Sequence, residues 1–282
     1  MFYYTEKKYI YGKYEKNNPP DTVYINQVSS VRNNNAIEIA VVIITRNKSN
    51  LIVNTLESIL MQTEKVEIIV VNDCSEDNTL EVLSNYDITV LTPQIHFNSR
   101  SYARNCALQF IDNREYCWIY DDDIVLSNKN IAKELLNIAK KNTIAVCRRM
   151  PGKNEVWKMT APHQNINELK YKWIHCGCGC NLILLKNIKE IFYFDERYKG
   201  WGFEDNDLNF RLMQFKNMDL YCLSNDVGYG VHQSHFVDRN MNEQYKKNWQ
   251  LLRNKIEKVA PSILSYSYIV KLDLRCKLNK KL

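Results

Sequence analysis

The chain reads as an α/β protein with a mostly parallel central sheet flanked by helices, and three observations predict it. Residues 40–44, 68–71, 88–91 and 117–120 are short apolar runs, as strands covered on both faces would be. Between them, apolar residues recur at helical spacing, as in Ile52, Leu56, Ile59 and Leu60. Strands alternating with helices in this way give an open sheet with helices on both faces. Polar residues follow several of the strands directly: Thr45-Arg46, Asn72-Asp73 and Asp121-Asp122-Asp123. Open α/β sheets bind ligands just beyond the carboxyl ends of their strands.

The elements follow in order. Residues 1–37 are polar, rich in Tyr, Asn and Lys, and broken by Pro19-Pro20-Asp21. They are expected to form an N-terminal appendage to a main domain over 38–240. The first strand, 40–44, opens that domain. Ser49 is placed to cap the helix that carries Ile52 and Leu56. After the strand at 68–71, Ser75 is placed to cap a short helix over 79–83. A strand at 88–91, a helix over 102–110 and the strand at 117–120 come next. A helix over 131–139, a strand at 144–147 and a helix over 208–215 complete the domain. Residues 241–282 are expected to be a helical tail. Its end sets Ile263, Leu264, Ile269, Val270, Leu272 and Leu274 among Lys271, Arg275, Lys277, Lys280 and Lys281. That pattern suits an amphipathic helix on an anionic membrane, or a helix packed on the domain with a basic end.

With 282 residues, 45% hydrophobic and 25% charged, the chain is long enough to bury its own core. The net charge of +6 is mild and favours phosphate-bearing ligands or an anionic surface. No recognition helix, zinc finger or RNA-binding signature accompanies it, so nucleic acid is not an expected partner. The start lacks an apolar leader and no run is long enough to span a bilayer. The expectation is a cytoplasmic protein, peripheral at the membrane if the tail docks there. Nine cysteines, odd in number and unevenly spaced, then read as reduced thiols. The 18 tyrosines suit grooves, where a ring packs while its hydroxyl stays wet.

Three stretches carry chemistry. Asp121, Asp122 and Asp123 follow an apolar strand, and three adjacent carboxylates repel one another unless a cation joins them. A hard divalent ion that bridges phosphates is such a cation. A solvated acidic turn is the plain alternative. Gly200-Trp201-Gly202 precedes Phe203-Glu204-Asp205-Asn206-Asp207 and suggests a mobile loop that lays an aromatic ring on a sugar. Carboxylates at a helix start also complement the helix dipole, which explains the acidity without a site. His232 and His235 form a pair with no meaning of its own. Cys176, Cys178 and Cys180 alternate with glycines and predict one face of a strand, as small buried thiols.

In order and spacing, several stretches together resemble inverting glycosyltransferases with the GT-A fold. They are Ile43-Ile44-Thr45-Arg46-Asn47, Val70-Val71-Asn72-Asp73-Cys74-Ser75, Ala103-Arg104-Asn105 and the aspartate triplet. Gly200-Trp201-Gly202-Phe203-Glu204-Asp205 resembles the acceptor and catalytic segment of β-1,4-galactosyltransferases, polypeptide N-acetylgalactosaminyltransferases and bacterial chondroitin polymerases. The resemblance covers about residues 38–237. It implies that Asp73 contacts uracil, with Thr45 and Arg46 beside it and Arg104 near the nucleotide or diphosphate. Asp121 and Asp123 become the ends of a DxD motif: Asp123 the ligand of Mn²⁺ or Mg²⁺, Asp121 nearer the ribose, Asp122 between them at the donor. His232 becomes the second metal ligand, with His235 its competitor. Trp201 stacks on a sugar, Asp205 is the catalytic base, and Glu204 holds sugar hydroxyls. Two stretches depart from the family pattern: Asn72-Asp73-Cys74-Ser75 stands for Asp-Asp-Gly-Ser, and His175–Asn181 for a Gly-Gly-Asn stretch.

The expected activity is transfer of galactose or N-acetylgalactosamine, or a related hexose, from a UDP-sugar to an acceptor hydroxyl, with inversion. The acceptor would be a glycan, a lipid-linked sugar or a peptide, in polysaccharide or glycoconjugate synthesis. A non-catalytic scaffold of the same fold and a nucleotidyltransferase are the alternatives. The second would carry a glycine-rich phosphate loop, which the sequence lacks.

Overall fold

Apolar residues of the strands alternate between two cores, one on each side of a central sheet. Ala40, Val42, Ile69, Val71, Cys117 and Ile119 face one core; Val41, Ile43, Ile68, Val70, Trp118 and Tyr120 face the other. The computed structural model describes residues 23–93, 96, 98–152, 166–169, 171–176, 179–234, 243–265 and 269. The sheet is formed by β1 (Val23–Gln27), β2 (Ile39–Thr45), β3 (Val66–Asn72), β4 (Thr89–Pro93), β5 (Tyr116–Asp121), β7 (Thr143–Val146), β9 (Cys180–Leu184) and β10 (Asp219–Cys222). Their order is β1-β4-β3-β2-β5-β9-β7-β10, and only β1 and β9 run against the rest. The stretch expected as an appendage thus lends residues 23–27 to the sheet edge.

Helices α1 (Ser49–Leu60), α2 (Thr79–Leu83) and α4 (Ile131–Ala139) cover one face, burying Ile52, Leu56, Leu83, Ile131 and Leu135. On the other face lie α3 (Arg100–Phe110), α5 (Leu185–Glu190), α6 (Glu204–Lys216) and α7 (Glu243–Val259). They bury Ala103, Ala107, Ile188, Leu208, Phe210, Trp249, Leu252 and Ile256. This three-layer α/β arrangement is the expected fold class. A second small sheet, β6 (Ile124–Leu126), β11 (Gly230–His232) and β8 (Arg149–Met150), sits beyond the carboxyl end of β5. In the stretch expected as a helical tail, Ile263 and Ile269 are buried with α7 in the core. Residues 270–282, with most of the basic end, lie outside the described residues. No described helix is long and apolar enough to cross a membrane.

Three local expectations are corrected. Ser49 is the first residue of α1 and not its cap; its N–H donates to Asp77 Oδ2 at 3.1 Å. Ser75 does not cap α2; its Oγ accepts the Asn47 N–H at 2.9 Å. Asp77 serves both helices, because it also accepts the Thr79 N–H at 3.0 Å. A carboxylate is the stronger acceptor for a helix start. Cys176 and Cys180 face opposite cores, because β9 begins only at Cys180. Both are buried and outside any disulfide, and Cys178 lies outside the described residues.

Candidate active site

β2, β3 and β5 run parallel in register and end side by side, at Thr45, Asn72 and Asp121. At the end of β3 the Asp73 N–H donates to the Thr45 carbonyl at 2.9 Å, which puts these two residues side by side. The Asp73 carboxylate meets His96 Nδ1 at 2.8 Å, a partner the sequence reading did not foresee. Cys74 adopts φ 53°, the left-handed conformation that glycine takes without strain. That accounts for the glycine at this point of the family pattern. Arg46 pairs with exposed Glu76 at 2.9 Å.

The triplet turns from β5 into β6. Its backbone is fixed from both sides: Thr55 Oγ1 donates to the Asp122 carbonyl and the Gln233 N–H to the Asp123 carbonyl, at 3.0 and 2.7 Å. β11 pairs with β6 so that His232 lies opposite Ile124. That register brings His232 Nε2 to 3.3 Å from Asp123 Oδ2. Burial and the neighbouring Asp123 push the Asp122 carboxyl up to about 6.

Asp121 is different. Its Oδ1 accepts from Arg104 Nη2 at 3.2 Å and its Oδ2 from Arg149 Nη1 at 2.7 Å. Arg104 is buried, and its Nη1 reaches Glu204 Oε1 at 3.2 Å. Glu204 Oε2 in turn accepts the Gly202 N–H at 3.1 Å. Burial, and next Asp205, raise the Glu204 pKa against the pull of Arg104. A continuous chain of ion pairs thus runs from the triplet to the Gly-Trp-Gly loop. Arg149 was missed in the sequence, although it closely follows β7 at the carboxyl end of the sheet, where ligand residues are to be sought.

The acidic run is the first turn of α6, which begins four residues earlier than expected. Its three carboxylates meet different environments. Asp207 is fully buried and pairs with Arg211 at 2.7 Å and Lys255 at 2.5 Å. Glu204 is committed to Arg104. Asp205 stays partly exposed, and its Oδ1 accepts the Asn206 N–H at 2.7 Å.

The loop before it is held by hydrogen bonds with α7 and with Asn98. Asn248 Nδ2 donates to the carbonyls of Lys199, Trp201 and Gly202 at 2.8, 3.4 and 3.0 Å. The Gly200 N–H donates to Asn98 at 2.9 Å. Gly200 and Gly202 have φ 61° and 106°, and a Cβ on Gly202 would meet the Tyr245 ring at 2.7 Å. The glycines therefore answer to backbone shape and close approach. Trp201 stacks on Tyr245 with centroids 5.2 Å apart and remains 46% exposed, leaving ring surface for a ligand.

The residues suit a divalent ion in one specific way. Asp123 and His232 offer a carboxylate and an imidazole to one point, while Asp121 is held by two arginines. Among the described residues no three His, Cys, Asp or Glu side chains are arranged to hold a metal ion. Two protein ligands, with substrate phosphates supplying others, is how Mg²⁺-type ions are commonly held. His235 lies outside the described residues.

Comparison with known proteins agrees with this architecture. The model of the family described as glycosyl transferase family 2 matches residues 40–215, more than half of the chain. An uncharacterized glycosyltransferase of Rickettsia prowazekii (strain Madrid E) is 26% identical over 242 residues, covering 78% of this chain and 73% of that protein. S. aureus TarS, residues 1–349 in complex with UDP, has a TM-score of 0.62 at 20% identity, covering 79% of this chain and 67% of that one. The mannosyltransferase PcManGT from Pyrobaculum calidifontis, with GDP-Man and Mn²⁺, has a TM-score of 0.59 at 15% identity. It covers 98% of this chain and 76% of that one. These structural likenesses are of fold, and the fold is GT-A.

Proposed function

Because the chain belongs to glycosyl transferase family 2, we propose that it moves a sugar from a UDP-sugar to an acceptor hydroxyl, with inversion and with a divalent ion. The sugar is a hexose or N-acetylhexosamine of galactose or N-acetylgalactosamine type. That assignment rests on the resemblance of the Gly-Trp-Gly-Phe-Glu-Asp segment. The acceptor is a glycan, a lipid-linked sugar or a peptide. The observation that carries the reading is the ion-pair chain Arg149–Asp121–Arg104–Glu204. It ties the aspartate triplet to the start of α6, which supports a donor site and a candidate base that serve one substrate.

Each service has its residues. Asp73 accepts the uracil N–H, oriented by His96, with Thr45 and Arg46 beside the base. Asp121 and Asp122 line the donor, and Arg104 holds Asp121 and Glu204 in place from beneath. Asp123 and His232 would hold Mn²⁺ or Mg²⁺, whose chemistry is to neutralise charge on the departing diphosphate; imidazole in the site favours Mn²⁺. Trp201 covers the apolar face of the acceptor or donor sugar. Asp205 takes the acceptor proton as the new bond forms. Holding both substrates in line supplies much of the remaining acceleration.

Calorimetric titration of UDP and GDP with Mn²⁺ tests the donor assignment. UDP is expected to bind in preference to GDP. Asp73→Ala is expected to weaken UDP binding by about 1–3 kcal/mol, the usual cost of a lost charge-assisted bond. Equal binding of UDP and GDP by the unaltered chain would remove the uridine reading.

A further inference from the structure

Arg149 has no chemical role in that scheme, yet it is one of two arginines that pair with Asp121. Its Nη1 donates to Asp121 Oδ2 at 2.7 Å, and its side chain is one-third exposed. Burial works against its charge, while Asp121, Asp205 and Asp123 sustain it. Asp121 lies two residues before Asp123, and β8, which carries Arg149, pairs with β11, which carries His232. β8 holds Arg149 opposite Gly230, two residues before His232. Gly179 leaves room for the pair: a Cβ there would stand 2.4 Å from Asp121 Oδ2 and 2.7 Å from Arg149 Nη1. Arg104 occupies the other oxygen of Asp121.

A cation at Asp123 and His232 and a guanidinium at Asp121 compete for neighbouring carboxylates. We propose that Arg149 is a positioning residue that withholds Asp121 from the divalent ion, so that the metal site stays incomplete until a nucleotide diphosphate enters. Metal and nucleotide then bind each other's complex tightly and the bare protein weakly. By linkage the coupling is the same in both directions. The inference rests on the proposed role of Asp123 and His232.

Mn²⁺ titrations followed by the electron paramagnetic resonance of the free ion, with and without UDP, test it. They would use the full chain, Arg149→Gln, Asp121→Asn and the double variant. Arg149→Gln is expected to bind Mn²⁺ alone about tenfold more tightly, the low end of what partners of metal ligands exert. The enhancement of Mn²⁺ binding by UDP shrinks accordingly. In the Asp121→Asn background the same change should alter Mn²⁺ affinity by less than about twofold, since no carboxylate remains to be released. Equal tightening in both backgrounds would mean that Arg149 acts by general repulsion, and the proposal fails. It fails too if Arg149→Gln leaves Mn²⁺ affinity unchanged or weaker. Arg149→Lys keeps the charge but shortens the reach, and partial tightening is expected; no change with this variant also overturns the proposal. If the unaltered chain binds no Mn²⁺ even with saturating UDP, the metal role of Asp123 and His232 falls, and this inference with it.

Discussion

Glu204, Asp205 and Asp207 lie on one helical turn, and burial separates their fates. Glu204 carries Arg104 and the Gly202 N–H, and Asp207 carries Arg211 and Lys255 in the core. Removing one partner of a buried pair leaves an uncompensated charge, so neither is spare for proton transfer. Asp205 is the partly exposed member beside the Gly-Trp-Gly loop. On the proposed mechanism, Asp205→Asn leaves UDP affinity nearly intact and lowers kcat by about 100-fold or more, as loss of a general base does. Steady-state kinetics beside UDP titration checks this. Normal turnover in Asp205→Asn with a dead Glu204→Gln would transfer the role to Glu204. The residue types of the site were legible because carboxylates after a buried strand have few plain explanations. Their pairing was not. Asp121 is neutralised by Arg104 and Arg149, 17 and 28 positions away, and His96 meets Asp73 from 23 positions away. Such distances carry no local pattern in a single sequence.

Long periodic elements announced themselves, and short ones did not. Strands β2, β3, β4, β5 and β7 and helices α3 and α4 follow their apolar runs to within about two residues, the usual spread of element boundaries. β6, β11 and β8 have three, three and two residues, too few to show a period, yet they carry His232 and Arg149. Caps were misread because the acceptor came from another element. Asp77 takes the N–H of Ser49 across to α1 and that of Thr79 in α2, joining the two helices. Despite partial desolvation, the hydrogen bonds from Thr79 and Ser49 hold its carboxyl at about 2. The folded state thus favours the ionised form relative to an unfolded aspartate near 3.9. The stabilisation is present above pH 4 and is lost as pH falls toward 2. Asp77→Ala is expected to cost about 1 kcal/mol at pH 7, the usual worth of a cap. Urea unfolding of both proteins from pH 7 downward should show their difference narrowing below pH 4. A difference independent of pH would deny the carboxylate this role.

Across the whole molecule, the residues proposed to hold the donor sit at the ends of sheet strands, while the Gly-Trp-Gly loop is held by α7. α7 packs Trp249, Leu252 and Ile256 into the core beneath α6. From that base it presents Tyr245 to the Trp201 ring and Asn248 to three carbonyls of the loop. Lys255 fastens the same helix to Asp207, two residues beyond Asp205. The loop thus forms a ledge held by a helix nearly fifty residues further along the chain, and the Gly-Trp-Gly pattern alone gave no hint of this. Asn248→Ala removes the clamp but leaves the core contacts of Trp249 and Leu252 in place. If the ledge positions the acceptor, the substitution should raise the acceptor KM and lower kcat/KM by about tenfold to 100-fold, as small misplacements do. UDP and Mn²⁺ affinity should hold, because Asp73, Asp121, Asp123 and His232, the residues assigned to UDP and the ion, lie outside the loop that Asn248 holds. A parallel assay of UDP release without acceptor should show the ratio of transfer to hydrolysis falling, since an ill-placed hydroxyl competes less well with water. An unchanged acceptor KM together with a lowered melting temperature would reduce Asn248 to a packing residue and remove α7 from the active site.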